Sequence, residues 1–334
     1  MPISHVFEEF SCYDLIQQIP QNVTEQLGLL LMTGPGTFMM CLGFGIVFSK
    51  NSTPRKLFLR GLSMFGIQAV LNIFRFTIPH WFTSSMLNYP ELINDGIDFF
   101  LYSDILPFAG FTFIFFAIAK KLNLPNIILL LFGLFCTTAQ MLIPEIHFDE
   151  TAKNLLFGYF FYIDETSFFP FISWIIYPII GYLLGNKLVK TQNKKLFYLK
   201  LGSLSLIIFA ITNLFLITQG LMQKDYYLFM ETGFRMDFWT TVIVSSFIGI
   251  YTCCIYFISI LIKDNFAKII TNTSKNINSI YCIHWVIVKW FWAFAMVYTL
   301  KIEYDEIFVI GLIIFFISAF IAQIWKNRPK IFLP

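Results

Sequence analysis

The chain has 334 residues, 57% of them hydrophobic and only 13% charged, with 42 phenylalanines and a formal net charge of +3. Its mean hydropathy is +0.71. That balance excludes a soluble globular domain and a nucleic-acid surface, and points to a chain dissolved in lipid. Continuous apolar runs of about 20 residues exclude a transmembrane β-barrel, whose strands alternate over shorter stretches.

In chain order the runs predict nine spans, at about 27–49, 61–79, 101–119, 125–143, 168–187, 199–219, 239–262, 279–300 and 307–325. The fold class expected is therefore an all-α polytopic bundle in one domain over residues 1–334. The apolar stretch Asn154 to Ile163 is too short to cross and reads as interfacial or re-entrant. The opening Met1-Pro2-Ile3-Ser4-His5 reads as the outer end of a helix whose membrane part would precede it, giving ten spans, or as a short ordered tail.

Orientation follows from charge. Lys50, Arg55, Lys56, Arg60, Lys120, Lys121, Lys187, Lys190, Lys194, Lys195, Lys200, Lys263, Lys268, Lys275, Lys326, Arg328 and Lys330 fall in alternate loops on one side, 17 of the 23 basic residues. All the acidic residues except Asp264 fall on the other side. The positive-inside rule makes the basic side, and the C-terminus, cytoplasmic, in a bacterial-type plasma membrane.

Cys41, Cys136, Cys253, Cys254 and Cys282 lie in spans and Cys12 alone lies outside, so no disulfide framework is indicated. Neither a phosphate-binding glycine loop nor a zinc-ligand spacing occurs, and no metal is expected.

Polar groups inside spans are site candidates because a charge at the bilayer centre costs about 2.5–3.5 kcal/mol on insertion scales. Lys289 sits at mid-span, with Tyr281 and His284 on one face of the same helix. Gln68, Asn72 and Arg75 are spaced i, i+4, i+7 and must face protein or water. Each has a plainer reading: Lys289 as a structural ion pair, Arg75 snorkelling to the surface, and Asp104 capping its own helix. Trp285, Trp290 and Trp292 read as packing residues.

The segment Asn278-Ser279-Ile280-Tyr281-Cys282-Ile283-His284-Trp285 resembles the Ser-x-x-Tyr-x-x-His-Trp segment of membrane acyltransferases of the acyltransferase-3 type. Gly34-Pro35-Gly36-Thr37-Phe38-Met39 through Gly45, and the basic loop Arg55 to Gly61, resemble the related heparan-α-glucosaminide N-acetyltransferase group. So do Asp104-Ile105-Leu106 with Gly110, and Phe168-Phe169-Pro170 through Trp174 and Gly185.

The resemblance implies an enzyme that moves an acyl group, acetyl in the simplest case, from cytoplasmic acyl-CoA to a sugar or glycan acceptor outside. CoA is then a co-substrate and no bound cofactor is needed. It casts His5 as base or acyl-carrying nucleophile, with Glu8 or Glu9 orienting it and Asp104 beside it at the outer mouth. Arg55, Lys56, Arg60, Tyr281, His284 and Lys289 are the donor-binding candidates. His5, His284 and Asp104 are expected to line one connected cavity, with His284 nearer its cytoplasmic half. Asn72, Arg75 and Trp174 are the acceptor-binding candidates. The competing class is a small-solute transporter or permease, which mid-membrane charge at Lys289 also fits.

Overall fold

The computed structural model of the chain describes residues 2–10, 21–102, 104–142, 148, 151–163, 167–219 and 236–326, and these are helical with no strand among them. Cys12 lies outside the described residues. The helices are α1 (Pro2–Phe10), α2 (Gln21–Phe48), α3 (Pro54–Asn72), α4 (Ile78–Leu87), α5 (Glu91–Asp98), α6 (Ile105–Lys121), α7 (Asn126–Leu142) and α8 (Thr151–Gly158). They continue as α9 (Phe171–Trp174), α10 (Ile176–Lys190), α11 (Lys194–Thr218), α12 (Phe238–Leu261), α13 (Asp264–Lys275), α14 (Ile277–Val297) and α15 (Tyr304–Lys326).

Among the described residues, seven helical runs are long and apolar enough to cross a membrane, and Thr33–Phe48 and Asn126–Ala139 are shorter apolar helices. All nine coincide with the apolar runs of the sequence, which makes this an integral multi-pass helical protein. Helix α8 falls on the short stretch read as interfacial.

A single π-turn, Ile73–Thr77, joins α3 to α4, so that the run Pro54–Leu87 is continuous over 34 residues. Its i→i+5 bond, from the Ile78 amide to the Ile73 carbonyl, shifts the helical phase by one residue. Side-chain caps set several other starts. Asn193 accepts from the Leu196 amide at 3.0 Å ahead of α11, and Asp237 accepts from the Thr240 amide at 2.7 Å at α12.

The contacts divide the chain into two compact units, each discontinuous in sequence. One comprises Met1–Gln21, Ala69–Phe100 and Leu261–Pro334; the other comprises Asn22–Gln68 and Leu101–Ile260. We call them the histidine unit and the glycine unit.

The glycine unit is built by backbones touching. A side chain on Gly43 of α2 would strike the Pro178 carbonyl of α10, and one on Gly181 of α10 would strike the Met40 carbonyl of α2. The α3–α6 crossing repeats this: a β-carbon on Gly61 would lie 2.7 Å from the Gly110 carbonyl oxygen, and one on Gly110 would lie 3.0 Å from that of Gly61. Where α11 crosses α12, Gly202 faces Cys253 and Gly249 faces Ser205. Lipid gives two apolar helices no hydrophobic reason to associate, so close van der Waals contact must hold them. Rings fill the rest: Trp174 is fully buried, with Tyr177 at 5.3 Å and Phe169 at 5.2 Å.

In the histidine unit, Val6 of α1, Val288 of α14, and Ile307 and Ile314 of α15 form an apolar core. Ile3 lies against Gly311, which has no side chain to hold it off. Beside this core the interior is polar.

Candidate functional site

Helices α1, α4 and α14, with the π-turn, bring His5, Glu9, Arg75, His80, His284 and Lys289 into the interior of the histidine unit. Lys289 is the mid-span charge, and its ammonium donates to the Glu9 carboxylate, with both oxygens at 2.6 Å. The ion pair is nearly dry, the two side chains being 10% and 14% exposed. A lone ammonium there would lose its hydration without return; the pairing repays that cost only because the geometry is close. Glu9, expected to orient His5, is thus the counter-ion of Lys289.

Arg75 is 1% exposed, so it does not snorkel. Its Nε donates to the Asn72 Oδ1 at 2.9 Å, and Asn72 Nδ2 donates to the Phe100 carbonyl at 2.8 Å. That second bond fixes which end of the amide faces the guanidinium. Gln68 and Asn72 are buried as their spacing required.

Rings and cations alternate through this interior. Lys289 Nζ lies 5.5 Å from the Trp292 ring and 4.7 Å from that of Phe76. The Arg75 guanidinium lies 4.5 Å from the same Phe76 ring and 4.9 Å from that of Trp285. Trp285 in turn meets His5 at 3.9 Å between ring centres. Desolvated cation–π contacts contribute about 2 kcal/mol each, which offsets part of the cost of burying two cations beside one carboxylate. Trp285 and Trp292 are therefore packing residues with an electrostatic task.

His5 and His284 stack at 5.2 Å with their planes 22° apart. They were expected at different depths, and they are neighbours instead, because α1 lies along α14. His284 Nδ1 pairs with the Ile280 carbonyl at 2.9 Å. A carbonyl can only accept, so Nδ1 carries a proton, and whenever the ring is neutral its lone pair is at Nε2. That Nε2 is buried without a hydrogen-bond partner among the described residues. Tyr281 stands edge-on to the His284 ring at 5.5 Å.

His80, which sequence reasoning missed, is built the same way. Its Nδ1 donates to the Phe76 carbonyl at 2.8 Å, and its ring lies 4.8 Å from Trp292 and 5.4 Å from Phe99. The π-turn lies between the Gln68–Asn72–Arg75 stripe and His80, so a constant helical period does not carry from one to the other. The available signal was simply that His80 falls near the end of a polar stripe.

The remaining candidates belong to the glycine unit. Asp104, 7% exposed, adopts an extended backbone ahead of α6 and accepts from the Ile105 amide at 2.6 Å, so it caps its helix. Arg55, Lys56 and Arg60 lie in the first two turns of α3. Lys56 Nζ donates to Asn51 Oδ1 at 2.9 Å, and Arg60 lies over the Phe113 ring at 4.4 Å. Lys120 Nζ donates to the Ser52 carbonyl at 3.0 Å, so two lysines tie down one loop. Trp174, an acceptor-binding candidate, is enclosed in the core between Phe169 and Tyr177.

No three His, Cys, Asp or Glu side chains among the described residues converge as a metal site needs. No family model, curated protein or solved structure matches the chain, and its functional reading rests on these residues.

Proposed function

We propose that this chain is an integral membrane acyltransferase that moves an acyl group from cytoplasmic acyl-CoA to a hydroxyl or amine of a sugar or glycan acceptor outside. The observation that carries the reading is the stacked His5–His284 pair with its buried His284 Nε2, in the unit that also buries Arg75. A buried acceptor nitrogen suits the proton of an alcohol or amine, and a fixed cation suits the oxyanion that follows attack.

In this reading one imidazole of the pair takes the acceptor proton as the acceptor oxygen or nitrogen attacks the thioester carbon. The carbon–sulfur bond then breaks, and the proton passes to the departing thiolate, giving acylated acceptor and free CoA. Arg55, Lys56 and Arg60 supply the positive charge that CoA phosphates require on the basic side. Glu9 and Lys289 hold α1 to α14, which keeps His5 against His284.

The test uses protein reconstituted in vesicles, with acetyl-CoA on the basic side and glucosamine as acceptor on the other. Thiol release and acetylated sugar should both appear. His5→Ala and His284→Ala should each lower turnover by about 10²–10⁴, the usual share of general acid–base catalysis. Acetyl-CoA binding by calorimetry should be unchanged in His5→Ala. Loss of donor binding there instead would make His5 structural, and glucosamine uptake without acylation would replace the proposal by a transporter.

A further inference from the structure

Helix α13 links two of the long apolar runs. Its 12 residues carry an apolar stripe, Phe266, Ile269 and Ile270, at the i, i+3, i+4 spacing of one helical face. Yet none of its residues is buried: those three side chains are 57%, 61% and 45% exposed. Lys268 and Lys275 fall on the opposite face.

Chain connection limits where this helix can lie. The preceding run, α12, crosses by length and composition and ends at Leu261; the following one, α14, also crosses and starts at Ile277. Two residues separate α12 from α13, and only Asn276 separates α13 from α14. Both ends of α13 are therefore held at the same membrane face. Twelve residues of helix extend about 18 Å, so an upright α13 would lift the start of α14 that far off the surface. Asn276 is itself buried, and its Nδ2 donates to Gln323 Oε1 of α15 at 3.1 Å, which pins the corner.

We infer that α13 lies in the plane of the membrane surface, with Phe266, Ile269 and Ile270 immersed between the lipid headgroups of the basic-side leaflet. Its lysines stand in the aqueous layer. The occupant of the apolar face is lipid, since a helix leashed this closely to two spans presents that face to the bilayer those spans cross. Charge agrees: Lys263, Lys268 and Lys275 outweigh Asp264, so the segment suits an anionic leaflet. The inference is independent of the acyl-transfer reading.

The test places single cysteines at 266, 269, 270, 268 or 275 in a chain whose six native cysteines are replaced, each carrying an environment-sensitive fluorophore. The protein is reconstituted in phosphatidylethanolamine–phosphatidylglycerol vesicles, with or without lipid spin-labelled near the headgroup. Positions 266, 269 and 270 should emit to the blue and lose most of their emission to the spin label, while 268 and 275 lose little. Equal quenching on both faces, or none on either, would overturn the inference. A second measurement leaves the native cysteines in place. Vesicle-bound chain should resist trypsin at Lys268, and Phe266→Glu/Ile270→Glu should make that bond cleavable severalfold faster. An unchanged cleavage rate would count equally against it.

Discussion

The two units are composed of similar apolar helices, but they solve the problem of association in lipid by opposite means. In the glycine unit, paired small residues let backbones meet, as at Gly43–Gly181 and Gly61–Gly110. In the histidine unit, an ion pair, two buried cations and stacked rings occupy the interior, and close backbone approach is confined to points such as Ile3 against Gly311. Backbone contact gives tight packing at small desolvation cost. Buried charge costs more and is weak evidence for stability.

Breaking the ion pair should produce the largest effect. Lys289→Met leaves Glu9 buried and unpaired, and should destabilise the solubilised protein by about 3–5 kcal/mol in a denaturant titration. Adding Glu9→Gln should recover most of the loss. If single and double variants are equally unstable, the pair contributes packing and not charge.

Filling a backbone crossing should come next. Gly181→Ala puts a methyl group into the Met40 carbonyl and should cost about 1–3 kcal/mol by the same measurement. Gly66, in α3 with no atom within 4 Å of a new β-carbon, is the control, and Gly66→Ala should stay within about 1 kcal/mol of the parent. Equal effects at both positions would remove the contrast between the units.

The smallest effect, and the one that separates structure from chemistry, concerns Asp104. As a helix cap, Asp104→Ala should cost about 0.5–2 kcal/mol, and Asp104→Asn less, since an amide oxygen also accepts the Ile105 amide. If Asp104→Asn keeps stability but loses acyl transfer, the carboxylate has a chemical role beyond the cap.

The sequence by itself determined the nine apolar elements and their order, because crossing about 30 Å of hydrocarbon demands a run of about 20 apolar residues whatever the fold. It also determined that Gln68, Asn72 and Arg75 would be hidden from lipid, since polar groups at helical spacing cannot face hydrocarbon. Tertiary structure decided the rest. That Lys289 could pair with a carboxylate or a carbonyl was legible; that Glu9, 280 residues away, is its partner was not, because such pairing depends on how helices are placed. The His5–His284 stack was hidden for the same reason. His80 lies past the π-turn Ile73–Thr77, where the helical phase shifts by one residue, so its place in the interior was not read from the stripe before it. Periodicity read along a sequence assumes a constant 3.6 residues per turn, and it fails where the backbone departs from that count.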